Sequence, residues 1–152
     1  TLARYYGYND VFNKWKSGIK AGIFVPESHG REHIAVQHWL KALQTGDKDL
    51  LYAFNHGFVS VPIKGNHPVL NEFRPEFYFN NPDQVGFLKE SISDGIRLFR
   101  ELLGYTPRLF VPSNGIFHPM FEREVSDAGV KYLYVSHFTP IPGENGNLKL
   151  KY

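Results

Sequence analysis

Cysteine is absent from the 152 residues. That removes disulfides, thiolate zinc sites and cysteine nucleophiles together, and leaves histidine and carboxylates as the strong metal ligands. It does not fix a compartment, because a secreted bacterial protein need not contain cysteine. An excess of one charge is also missing: 17 Lys+Arg stand against 15 Asp+Glu, a formal net charge of +2. The basic residues are scattered singly, so there is no electrostatic footprint for nucleic acid. No apolar run approaches the ~18 residues that would span a bilayer, and no signal-peptide pattern opens the sequence. With 42% apolar and 21% charged residues, the composition excludes disordered, collagen-like and coiled-coil chains.

Aromatics are the one excess, at 16%, with 13 Phe and 9 Tyr. They suit the core of a sheet or barrel, and equally a groove that stacks sugar rings. A chain of this length buries roughly 70% of the surface its unfolded form exposes, enough for one hydrophobic core. The expected organisation is therefore a single domain over residues 1–152.

Along the chain, Val11, Phe12, Trp15 and Ile19 lie at helical spacing after Asn9 or Asp10, predicting a helix to Gly22. Gly22-Ile23-Phe24-Val25-Pro26 reads as a buried parallel strand. A second helix is predicted from Glu32 to Leu43, and Asp47 is expected to cap a shorter one that ends at Gly57. Phe58 to Asn80, with three prolines, reads as a strand followed by a long irregular excursion. Asn81-Pro82-Asp83 starts the strongest helix, whose stripe runs from Val85 to Leu103 before Gly104.

Arg108-Leu109-Phe110-Val111-Pro112 then repeats the earlier pattern of an apolar strand closed by Phe-Val-Pro and opening into a polar loop, Ser113-Asn114-Gly115. The two loops read as internal counterparts. A helix from Pro119 to Ala128 and a strand from Tyr132 to Ser136 follow, and beyond Phe138 the Pro/Gly-rich chain reads as a loop. Alternation of strand and helix means βαβ units and a parallel sheet or barrel. Both Phe-Val-Pro segments would end at the carboxyl edge, where such folds place their chemistry. Glu27 to His33, Ser113 to His118 and His137 are thus the places to look.

His29-Gly30-Arg31-Glu32-His33 is the sharpest motif. Imidazoles at i and i+4 at the mouth of a helix share a face and can close on one metal ion. The same pattern is also written by a helix-capping His29 beside a half-buried His33. His-x-x-Glu-His matches the inverted zinc-peptidase motif. His29-Gly30-Arg31-Glu32 also resembles the His-x-Arg-Glu of zinc carboxypeptidases, and the His-x-x-x-His spacing resembles that of polysaccharide deacetylases.

Three longer segments bear on that choice: Phe24-Val25-Pro26-Glu27-Ser28-His29-Gly30-Arg31-Glu32-His33 with its continuation to Asp47, Leu98 to Gly115, and Phe121 to Leu133. Together they resemble a divergent bacterial group of the polysaccharide deacetylase (NodB homology) superfamily, over most of the chain. No partner segment matches either zinc-peptidase family.

The resemblance implies an α/β fold, a (β/α) barrel of about seven strands that is only partial over this chain. It also implies a divalent metal, zinc first, that hydrolyses N- or O-linked acetyl groups on a carbohydrate or polysaccharide. His29 and His33 match the family's two histidine ligands. Ser113 and Asn114, in the loop matching Arg-x-Pro-Tyr-Gly, are candidate substrate contacts, and Arg31 either binds a sugar hydroxyl or an anion or pairs with Glu27. Glu32 is a candidate base or a first-turn helix acid, and His137 a candidate general acid for the leaving amine or a solvated strand-end residue. His118 is expected to cap a helix.

Two departures stand out. Val111 occupies the place of the family's arginine, and between Thr1 and Gly22 the only carboxylate is Asp10, so the family's Asp-Asp pair is missing. The expectation is a fragment lacking the first strand and the C-terminal end, in the cytoplasm or cell envelope of a bacterium. A catalytically degenerate carbohydrate-binding or scaffold descendant is the alternative, with a zinc metallopeptidase as a further one.

Overall fold

A computed structural model describes residues 10–59, 61–62, 72–135, 139–142 and 148–151. Helix α1, Val11–Lys20, carries its apolar residues as expected. Helix α2 spans Val36–Gln44 and α3 spans Lys48–Asn55, the latter capped by the Asp47 carboxylate, which accepts from the Leu50 N–H at 2.9 Å. The long helix α4, Gln84–Leu103, stops at Gly104, whose left-handed backbone lets its N–H reach the Arg100 carbonyl.

Strand β1, Leu109–Phe110, is followed by 3-10 turns at Ser113–Gly115 and Pro119–Phe121. Then come α5, Glu122–Asp127, and β2, Tyr132–Leu133. β1 and β2 pair in parallel, Leu109 with Tyr132 and Phe110 with Leu133. On the other side of β1, Ser28 forms a single parallel bridge to Phe110. Three parallel positions thus lie side by side in chain order, with helices between them.

The core gathers under α4. Leu88, Ile92 and Ile96 from its inner face pack with Phe77, Phe79, Phe110, Phe117, Phe121, Val125 and Val130. Much of the aromatic excess is spent here: Phe77 meets Phe117 edge-on at 5.4 Å, and Phe79 meets Phe121 at 5.9 Å. None of the helices among the described residues is long and apolar enough to cross a membrane.

Four expectations need correction. Gly22 to Pro26 is no buried strand: Ile23 is 75% exposed and Val25 64%, while Phe24 turns back onto α1. There its ring lies against Trp15 at 5.3 Å and occupies the space that a Cβ on Gly18 would need. The second helix begins at Val36 rather than Glu32, because residues 31–34 bend around a buried carboxylate described below. Phe58, Val59, Val61 and Pro62 form no strand, and residues 60 and 63–71 of that expectation lie outside the described residues. Finally, the Pro/Gly-rich tail contains β3, Thr139–Pro142, paired antiparallel with β4, Leu148–Lys151.

Candidate functional site

The site is built on an irregular segment, Glu72 to Asn80, in which Phe73 and Pro75 to Phe79 are buried. Among these apolar neighbours sits one carboxylate, Glu76, only 2% exposed. A buried carboxylate needs hydrogen-bond donors to offset its lost hydration. The Arg31 backbone N–H donates to both Glu76 oxygens, at 3.1 Å each, and the Ser91 hydroxyl of α4 donates to Oε1 at 2.9 Å.

Burial pushes the Glu76 carboxyl above its ordinary range. The N–H groups of Arg31 and His33 and the Ser91 hydroxyl pull the other way, while the neighbouring Glu32 charge adds to the rise. Gly30 is obligatory beside this group. Its φ is +103°, and a Cβ at that position would collide with Glu76 Oε2.

The second loop is tied to the same residue. Ser113 is completely buried, and its Oγ accepts from the Glu76 N–H at 2.8 Å. Asn114 is exposed, with a left-handed φ of +53°, and its amide lies 3.5 Å from the Glu72 carboxylate. His118 does cap the following turn, its Nδ1 accepting from the Met120 N–H at 3.1 Å.

His29 and His33 are both exposed, with ring centroids 4.8 Å apart and planes tilted by 49°. They meet as expected, though not on a helix: a loop with left-handed turns at Gly30 and His33 (φ +54°) brings them together. His33 and Asn114 are the non-glycine residues of positive φ among the described residues. One belongs to each loop. Such backbone strain concentrates at binding and catalytic sites.

Arg31 pairs with Glu32 and with Asp94, the latter at 2.7 Å, and not with Glu27. Burial works against the Arg31 charge, but the hydrogen bonds to Asp94 and Glu32, together with the charges of those carboxylates, outweigh it and raise its pKa. Arg97, and then Arg31, hold the Asp94 carboxyl below its usual range. Glu32 lies outside any helix, so the helix-acid reading falls away. Its carboxylate takes Arg31 on one side and sits 3.3 Å from the Ser91 hydroxyl on the other. A cleft of about 460 Å³ opens along this network, lined by residues that include Arg31, Phe87, Glu90, Ser91, Asp94 and Arg97. His137 lies outside the described residues.

Neutral imidazole nitrogen is a usual zinc donor, so in chemical type the pair could supply two of the ion's usual four positions. Among the described residues no His, Cys, Asp or Glu joins it in a group of three able to hold a metal. Glu76, Ser91 and Asp94 were not legible as site residues. Glu76 stands at a polar position of the alternating stretch Phe73-Arg74-Pro75-Glu76-Phe77-Tyr78-Phe79, so its period sets it with Arg74 and gives no signal of its burial. No family model, no curated protein and no solved structure matches this chain.

Proposed function

We propose that the chain carries part of the metal site of a carbohydrate deacetylase of the polysaccharide deacetylase type, built on a (β/α) barrel. One observation carries the reading: His29 and His33 face each other at 4.8 Å in the loop that follows the strand-edge residue Ser28. Ser113 and Asn114 follow the adjacent strand β1, which runs parallel to it, so the two loops leave the sheet at the same edge.

In this reading His29 and His33 hold a divalent ion, with zinc preferred by imidazole donors, and further ligands come from outside the described residues. When bound, the ion would polarise the acetyl carbonyl and make a water acidic. Glu32, next to His33 in sequence and held by Arg31 and Ser91, would act as the base that takes a proton from water. His137 would protonate the leaving group. Ser113 acts through the Glu76 N–H rather than on substrate, leaving Asn114 as the exposed polar group of the second loop. The non-catalytic carbohydrate-binding reading draws on Val111, which stands where the family has its arginine.

The test is zinc or cobalt titration of the wild type against His29→Ala and His33→Ala, alongside an acetylesterase assay. Each substitution is expected to weaken ion binding by at least about tenfold and to abolish hydrolysis. Unchanged ion affinity in both variants would refute the metal site. Carbohydrate binding without hydrolysis in an ion-loaded wild type would assign the non-catalytic reading.

A further inference from the structure

We infer that Glu76 is a positioning residue, and that its buried carboxylate is the template on which the first loop folds so that His29 and His33 face each other. In giving the pair a purpose the inference rests on the metal-site reading; its geometric content does not.

An α-helix brings residues i and i+4 to one face unaided, with Cβ atoms about 5–6 Å apart. His29 and His33 have that spacing but lie before α2, which starts only at Val36. Something else must close the loop. The midpoint between the two histidines is Arg31, and its N–H is held by both oxygens of Glu76. On one side of that clamp the chain turns at Gly30, where only a missing side chain leaves room for the carboxylate. On the other it turns left-handed at His33, whose own N–H also faces Glu76.

The clamp is itself fixed from three directions. Ser91 holds the carboxylate from α4, Ser113 holds the Glu76 backbone from the second loop, and buried Pro75 and Phe77 flank it in sequence. A neutral amide of the same shape would keep one acceptor oxygen and turn an N–H₂ group toward donors. Glu76→Gln is therefore a small change in volume and a large one in hydrogen bonding. Gly30→Ala disturbs the same contact from the loop side.

The first measurement is made without metal. In wild-type protein with isotopically labelled histidine, a nuclear Overhauser cross-peak between the two imidazoles is expected from rings 4.8 Å apart. Glu76→Gln and Gly30→Ala should each reduce it to less than about half, while the methyl resonances of Leu88, Ile92 and Val125 keep their wild-type dispersion. A full-strength cross-peak in either folded variant, or none in the wild type, overturns the inference. Where Glu76→Gln does not fold, Gly30→Ala decides.

Zinc titration separates the two claims. If wild type binds zinc, Glu76→Gln should raise the dissociation constant about ten- to a hundredfold, as supporting residues of metal ligands do. Loss of the cross-peak in the variants with no zinc binding by wild type upholds the positioning role and removes the metal reading. Retained cross-peaks with zinc bound equally by all forms does the reverse.

Discussion

Phe110 is 1% exposed and carries β1 into the aromatic core, whereas Phe24, in the same Phe-Val-Pro setting, is 39% exposed and rests on Gly18 of α1. The residue bridged to Phe110 is Ser28, not Phe24. Two segments of like composition thus enter their loops four positions out of step. An apolar run states that a segment wants cover; which surface covers it is decided by what the rest of the chain offers. For Phe110 that surface is the ring cluster of Phe77 and Phe117. For Phe24 it is a helix face from which the glycine has removed the obstructing atom.

The contrast is sharpest in stability. Phe110→Ala empties a filled position and is expected to cost about 3–5 kcal/mol, while Phe24→Ala, half in water already, should cost roughly 1 kcal/mol. Urea unfolding of both variants checks this, and equal losses would mean that Phe24 belongs to the core after all. A smaller effect tests how the first segment is attached. The Glu27 carboxylate accepts from the Arg108 and Leu109 N–H groups at 2.8 and 2.9 Å, supplying from a side chain what a neighbouring strand supplies from its backbone. Glu27→Ala should cost about 1–2 kcal/mol and speed hydrogen exchange at those two amides. Exchange unchanged at both would show that the carboxylate does not do a strand's work.

The smallest expected effect concerns how each loop leans on α4. The first uses Ser91 and Asp94. The element after the second loop, α5, uses the 2.5 Å pair of Glu124 with Lys89. Burial opposes the Glu124 charge, yet the Lys89 hydrogen bond, a backbone N–H and the charges of Lys89 and Arg123 together outweigh it and hold this carboxyl below its ordinary value. Its folded pKa is thus lower than its unfolded one. The pair therefore stabilises above the unfolded value and loses that contribution as pH falls through the folded value. Lys89→Met should remove about 1 kcal/mol or less at neutral pH, and nothing at acid pH where Glu124 is protonated. Thermal unfolding at both pH values reads the difference.

Features specified by neighbouring residues are legible in the sequence. Asp47 caps its helix, Gly104 ends α4, and His118 caps its turn, because each acts on backbone groups only a few residues away. The parallel pairing of β1 with β2 follows from strand and helix alternation. The hairpin of β3 and β4 was hidden by Pro140 and Pro142, which argue against strand on local grounds. In the site, the meeting of His29 with His33 was foreseen and its cause was not. The cause lies 45 residues from Arg31, in a segment where Phe73, Pro75, Phe77 and Phe79 alternate with polar residues as in a strand, a period that would set Glu76 on the solvent side with Arg74. Spacing rules reach across one element; they carry no information about which distant carboxylate a bent loop will wrap.

That distance makes the imidazole pair and the fold one thermodynamic system. The Glu76 carboxylate joins Arg31 to a residue 45 positions away, and the Glu76 backbone reaches Ser113 across 37 more. Unfolding anywhere in that circuit disperses the two rings. A ligand that binds them only when they face each other must therefore raise the stability of the whole circuit, by about 2.7 kcal/mol at a hundred times its dissociation constant. The loop is small, but occupancy there is felt from Arg31 to Ser113.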